Sequence, residues 1–289
     1  MRALIFGALF FLNITDKVIK VLLKHNSRRV RLAFQTVFLL LAVYLFAGLI
    51  AGKFHSAHAF CPYASVCFGA LKLRMAGHMV FLFTTAIVAG LLIGIITMFI
   101  GRKFCGYICP IGTLQEYLFK LRSKRYRLLK RVPFFYERKF RVAKYFVLAL
   151  TFVLVLLGIS PLFMNFCPVL TLSRLPNIVI PGLILWIVII AGGLLTDRFW
   201  CRFLCPYAAL LNLFQKLSRL YGFKRLLIKR NLEKCIDCCN CIRNCPMNID
   251  LQQGEYIKDD DCIHCLICAA ACPKENTINE ENTSRDCYE

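Results

Sequence analysis

The chain has 289 residues, with 37 Lys and Arg against 16 Asp and Glu, a net charge of +21, and 58% of it is apolar. Residues 1–230 hold 32 basic and 4 acidic side chains whereas residues 231–289 hold 5 basic and 12 acidic ones, so two differently built parts join near Asn231. Long uncharged apolar runs argue against a nucleic-acid-binding protein, and 17 cysteines in short regular groups, many followed by proline, argue for metal-cluster spacing over a disulfide scaffold.

In chain order, residues 3–14 form an apolar stretch too short to span a bilayer, read as an uncleaved interfacial amphipathic helix within a basic segment, 1–31. Uncharged windows follow at 32–52, 79–100, 145–160 and 181–196. With their apolar flanks each approaches the roughly 20 residues needed for a span, which predicts four transmembrane helices. Basic residues crowd the stretch before the first window and residues 101–141, and are sparse in 53–78 and 161–180. Cations are retained inside, so both termini are expected in the cytoplasm, in a multi-pass protein of a bacterial or archaeal cytoplasmic membrane.

An internal repeat is visible. Residues 102–121 over 198–217 match Arg102 with Arg198, Cys105 with Cys201, Cys109 with Cys205, Pro110 with Pro206 and the closing Lys-Leu; Phe60-Cys61-Pro62 echoes Phe166-Cys167-Pro168. Each unit reads helix, outer FCP, helix, inner CxxxCP. The units enter and leave the membrane in the same sense, so they form two parallel pseudo-symmetric repeats about an axis along the membrane normal. The expected division is 32–121 for repeat one, 122–144 for a basic connector, 145–230 for repeat two and 231–289 for the last domain.

That last domain carries the strongest signal. Cys235, Cys238, Cys241 and Cys245-Pro246 are followed by Cys262, Cys265, Cys268 and Cys272-Pro273, two copies of the bacterial two-cluster ferredoxin run. In such a run the fourth cysteine serves the other cluster. One 4Fe-4S cluster is therefore expected on Cys235, Cys238, Cys241 and Cys272, and a second on Cys262, Cys265, Cys268 and Cys245. Zinc sites share the CxxC pairs but not eight cysteines in this phase. Cys239 and Cys287 fall outside it. The expected fold class is membrane α-helical with a small α+β ferredoxin domain.

Four apolar windows, the motifs CGYICP and CRFLCP, and the C-terminal ferredoxin run together resemble the NapH-type membrane ferredoxins, with their NosR-like and CcoG-like relatives. The resemblance covers about residues 32–275 and implies a quinol-linked electron-transfer component of the inner membrane.

Cys105, Cys109, Cys201 and Cys205 are expected where helices two and four reach the cytoplasmic face, gathered by the repeat symmetry. Flanking Arg102, Lys103, Arg198 and Arg202 should depress their pKa values, which suits a ligand or redox thiol. Four soft ligands fit an additional iron-sulfur cluster and equally copper, and the plainer reading is that small cysteines merely pack well. Cys61 and Cys167, with Cys67, His55 and His58 nearby, are expected on the opposite side as a second redox or metal site, or as a disulfide or unligated loop thiols. No histidine lies in the four windows, which disfavours a membrane haem, and no phosphate loop, dinucleotide fingerprint or hydrolase triad is found. The basic run 120–141 should meet lipid headgroups and hold the acidic domain, net −7, in a way that salt loosens.

The leading expectation is an integral membrane electron-transfer protein exchanging electrons between the quinone pool and another redox protein or subunit. A copper or thiol reductase acting in the maturation of a respiratory enzyme is the alternative, and a passive membrane anchor for a ferredoxin is the third.

Overall fold

The computed structural model describes residues 29–49, 51, 63, 80–123, 134–159, 165–173, 180–274 and 276–283. Helix α1 (Arg29–Leu49) is long and apolar enough to cross a membrane, the one helix of which that holds among the described residues. Helix α2 (Val80–Ile100) leads through Gly101 into short α3 (Lys103–Tyr107) and α4 (Pro110–Lys120). Helix α5 (Phe134–Phe140) runs into α6 (Ala143–Leu156), and α7 (Pro168–Ser173) precedes α8 (Ile180–Leu195). A π-helical turn, Trp200–Leu204, then joins α9 (Pro206–Leu220). At 1.5 Å per residue, the 14 residues of α6 and 16 of α8 reach about 21 and 24 Å.

The repeat shows itself at the inner helix starts. Cys109 and Cys205 each cap a helix in extended conformation (ψ 115° and 112°) with proline as the first helical residue, so α4 and α9 begin alike. Proline's fixed φ suits that position and its missing N–H costs nothing there. Gly101, at φ +74°, makes the turn out of α2 that a side chain would strain.

Side chains on the long helices are distributed inside-out relative to a water-soluble core. Apolar groups face outward along α1 (Val37, Leu40, Val43), α2 (Leu91, Leu92, Ile95), α6 (Phe146, Leu150, Val153) and α8 (Leu183, Ile184, Ile187), while Arg31, Gln35, Lys144 and Thr151 are buried.

The C-terminal module is a three-stranded antiparallel sheet in the order β2-β1-β3 with two short helices. Strand β1 (Arg225–Arg230) pairs with β2 (Tyr256–Ile257) through Ile228 and Ile257, and with β3 (Ile278–Thr283) from Arg225–Thr283 to Arg230–Ile278. Helix α10 (Asn240–Arg243) and helix α11 (Ile267–Ala271) each carry the third cysteine of a motif, Cys241 and Cys268. The central strand thus lies ahead of the boundary expected at Asn231, inside the stretch assigned to repeat two. One apolar core continues across this junction, from Cys105, Tyr207 and Leu211 to Ile228, Ile249, Ile263 and Ile278.

Candidate cluster sites

The two ferredoxin motifs adopt the same backbone. Asp237 and Cys239 in the first copy have φ of +49° and +56°, and His264 and Leu266 in the second have +49° and +55°. These left-handed residues turn main-chain N–H groups toward sulfur: the His264 and Ile267 amides face Cys262 and Cys265, and the Ile242 amide faces Cys241. Donors aimed at thiol sulfurs favour the anionic, metal-binding form.

Side-chain grouping follows the crossed pattern. Cys235, Cys238, Cys241 and Cys272 all line one cavity with an empty volume of about 390 Å3, into which Cys239 and Gln252 also reach. Cys245 lies within electrostatic reach of both Cys262 and Cys268, which in turn reach Cys265. Burial pushes the thiols of Cys262, Cys265 and Cys268 up. The Tyr107 hydroxyl, within electrostatic reach of Cys265 and Cys268, is buried and has no hydrogen-bond partner among the described residues. An orphaned donor beside buried thiols fits a sulfur-rich acceptor. Cys239 donates to the Asp237 carbonyl and accepts from Gln252.

Cys105, Cys109, Cys201 and Cys205 come together as a third group, since Cys201 lies within electrostatic reach of the other three and Cys205 of Cys105 and Cys109. Gly112 makes the approach: a Cβ there would stand 3.3 Å from the Cys201 Sγ and 3.0 Å from the Arg198 Nη1. The expected depression is overturned at Cys109, Cys201 and Cys205. Burial dominates, raising Cys109 and Cys201 and pushing Cys205 up to about 12, with neighbouring thiols adding to the rise against Arg198 or Arg102. The arginines flank the thiols, yet spend their charge on carboxylates.

Three buried acids collect those cations, of which Glu137 takes Arg202 at 2.7 Å and Arg141 at 3.2 Å. Glu116 accepts from Arg31, from Arg198 at 2.8 Å, from Gln35 at 3.2 Å and from Lys120 at 2.8 Å. Burial alone would raise its pKa, but Arg198, Arg31 and Lys120 hold it well below the carboxylate range. Asp261, next to Cys262, accepts from Arg102 at 2.8 Å, from Asn212 at 2.9 Å and from Lys144, with Arg141 at 3.4 Å. Against burial, Lys144, Arg102 and Arg141 hold it equally low. Arg102 also reaches the Cys105 Sγ at 3.9 Å, so one guanidinium touches an inner cysteine and the second ferredoxin motif. Asp197 is the opposite case: burial, then the Glu116 charge, push it up to about 7.

The second ferredoxin motif sits against the inner CxxxCP turn of repeat one. A Cβ on Gly106 would meet the Ile263 carbonyl at 2.7 Å, and one on Gly101 would strike the His264 ring. His264 Nδ1 contacts Glu280 at 3.2 Å, and Lys103 pairs with the same carboxylate at 2.8 Å. The docking expected of the basic run takes a wider form: Arg141 of that run reaches the acidic domain at Asp259 and Asp261, and Arg102, Lys103, Lys144 and Arg219, all outside the run, reach it as well.

Of the outer residues, Cys167 is buried at the start of α7, and its carbonyl accepts from Thr171. Cys61, Cys67, His55, His58 and Cys287 lie outside the described residues. Tyr63, two residues beyond Cys61, packs edge-on against Tyr207 at 6.3 Å between ring centroids. The first connector, expected on the opposite side, thus reaches at Tyr63 to the layer of the inner cysteines. Its few charges were read as marking the far side, and the same paucity also suits burial. Glu116, Asp261 and Tyr107 were missed from sequence, though Glu116 is one of only 4 acids in residues 1–230, a signal in itself.

A family model described as a 4Fe-4S binding domain matches residues 79–128 and again 178–224, the two segments that carry the inner CxxxCP motifs. MJ0750 of Methanocaldococcus jannaschii is 32% identical over 184 residues, covering 63% of this chain and 73% of that protein. The chain belongs to the 4Fe-4S binding domain family. Double matching of one family model supports the duplication read from the two motifs. YccM of Escherichia coli, named for electron transport, is 30% identical over 64% of this chain, which spans about half (52%) of YccM. The methylamine utilization ferredoxin-type protein MauN of Methylobacillus flagellatus is 30% identical over 62% of this chain and 60% of its own length. No solved structure matches the chain.

Proposed function

We propose that this family member is an integral membrane electron-transfer protein, with four spans in two parallel repeats, that exchanges electrons between the quinone pool and a redox partner. The outward apolar faces of α1, α2, α6 and α8 support the membrane reading, because lipid-facing helices need their polar groups turned inward. Cys235, Cys238, Cys241 and Cys272 would hold one 4Fe-4S cluster, Cys262, Cys265, Cys268 and Cys245 a second, and Cys105, Cys109, Cys201 and Cys205 a third. Each such cluster supplies one-electron chemistry when bound.

The observation that carries this reading is the contact of the inner cysteines with the second ferredoxin motif, where Gly106 meets Ile263 and Arg102 joins Cys105 to Asp261. The order from membrane to surface is then inner thiols, second motif, first motif, the last opening on the cavity lined by Cys238 and Cys272. Burial of Cys105 and Cys201 keeps those thiols from protein substrates, which favours this reading over a thiol reductase.

The test is iron and acid-labile sulfide per chain in anaerobically purified protein. We expect about twelve irons, falling to about eight when Cys105, Cys109, Cys201 and Cys205 are replaced by Ser. About eight in both would remove the membrane cluster. Anaerobic addition of menaquinol or ubiquinol should bleach the clusters; reduction by dithionite but by no quinol would overturn the quinone step.

A further inference from the structure

The two repeats brace each other across their pseudo-two-fold axis. Arg198 of repeat two reaches Glu116 of repeat one, at 2.8 Å; Arg102 of repeat one reaches the matching residue of repeat two, which is Asn212, at 2.9 Å. The outer helices correspond as well, since Arg31-Leu32-Ala33 of α1 and Arg141-Val142-Ala143 leading into α6 are spaced alike ahead of Gly48 and Gly158. Gln35 then matches Tyr145, and these donate to Glu116 and accept from Asn212 respectively. In repeat one a single carboxylate, Glu116, meets the cations of both repeats. Repeat two has an amide at that position and the matching cations, Arg102 and Arg141, with Lys144 added; Arg141 also pairs with Glu137 at 3.2 Å, so it is Arg102 and Lys144 whose carboxylate partner is Asp261.

We propose that Asp261 is the carboxylate that repeat two lacks, brought in by the ferredoxin module, and that the difference between Glu116 and Asn212 decides which of two pseudo-equivalent faces receives the module. Asp261 takes Arg102, Arg141 and Lys144 and the Asn212 amide, as Glu116 takes Arg198, Arg31, Lys120 and the Gln35 amide. Arg102 and Lys144 are fully buried, so without that carboxylate they would lie uncompensated in the junction. The face beside Arg198 needs no such guest, its charge being met by Glu116. Asp261 is thus a positioning residue: it holds the adjoining Cys262 motif against the inner thiols. The inference deepens the electron-transfer reading by naming what sets that contact, but its geometry stands on the repeat alone.

The test uses full-length protein with its cofactors, in three variants, Asn212→Asp, Asp261→Asn and the two together. Amide exchange over Lys103–Tyr107 reports docking, and thermal unfolding reports whether the buried cations are matched. Asn212→Asp should loosen docking by setting two carboxylates side by side, raising exchange about tenfold or more. Asp261→Asn should lower stability as well, by stranding Arg102 and Lys144. The double variant restores the charge within repeat two, so stability should return toward that of the parent while exchange stays high. Parental exchange in the double variant, or in Asp261→Asn, would overturn the proposal. Should Asp261→Asn fail to fold, recovery of folding in the double variant supports it and failure of both overturns it. The rate of quinol reduction of the module separates the two readings: raised exchange with an unchanged rate leaves Asp261 as the anchor and removes the electron path proposed through this junction.

Discussion

Glu116 shows how a part with apolar outer faces can bury charge. It is 1% exposed, and its carboxylate serves two guanidiniums and an ammonium. Replacing it by Gln strands Arg31 and Arg198, and loss of one member of a buried ion pair costs about 3–5 kcal/mol. Denaturant unfolding of Glu116→Gln should show that loss. The sign with pH is fixed by the depressed pKa: the stabilisation is complete above the ordinary carboxylate value and disappears as pH falls through the folded one. The gap in stability between parent and Glu116→Gln should therefore narrow below about pH 4. At this scale the cysteine spacing and the arginines beside it were legible. Where those arginines point was not, because Arg102 and Arg198 find partners in Asp261 and Glu116, far along the chain.

Helix α3 packs by having no side chain at Gly106. Gly106→Ala would put a Cβ 2.7 Å from the Ile263 carbonyl, a backbone atom that cannot turn away. Alanine is the better helix former by about 1 kcal/mol. Lower melting temperature together with faster exchange at Ile263 would therefore report the lost junction, and a gain in stability would show that the contact does not constrain the fold. The apolar windows pointed to α1, α2, α6 and α8, because uncharged runs between basic connectors need no tertiary information to be seen. Strand β1 was hidden for the converse reason. Arg225-Leu226-Leu227-Ile228-Lys229-Arg230 continues the basic stretch after α9, and only its pairing with the distant β3 shows that it belongs to the acidic module.

Across the whole molecule, opposite net charge in the two parts suggested docking that salt would weaken. The bridging groups answer differently, since Arg102 and Lys144 are fully buried and Asp261 nearly so. At 0.1 M salt exposed charges more than about 10 Å apart are largely screened, and buried pairs are screened much less. Exchange over Lys103–Tyr107 and the rate of cluster reduction should thus be equal at low and high salt. Loosening at high salt would mean that more exposed pairs such as Arg219 with Asp260 hold the parts together.

The crossed cysteine pattern and the central position of β1 also govern how the protein is made. Strand β1 emerges from the ribosome long before β3, its principal partner, and under the proposed ligation Cys235, Cys238 and Cys241 wait for Cys272. Until Asp261 emerges, the nascent chain holds Arg102 and Lys144 without the carboxylate that pairs with them. Synthesis interrupted after Leu220 should therefore yield a product destabilised from within, which cellular quality control can recognise as a cofactor-less fragment.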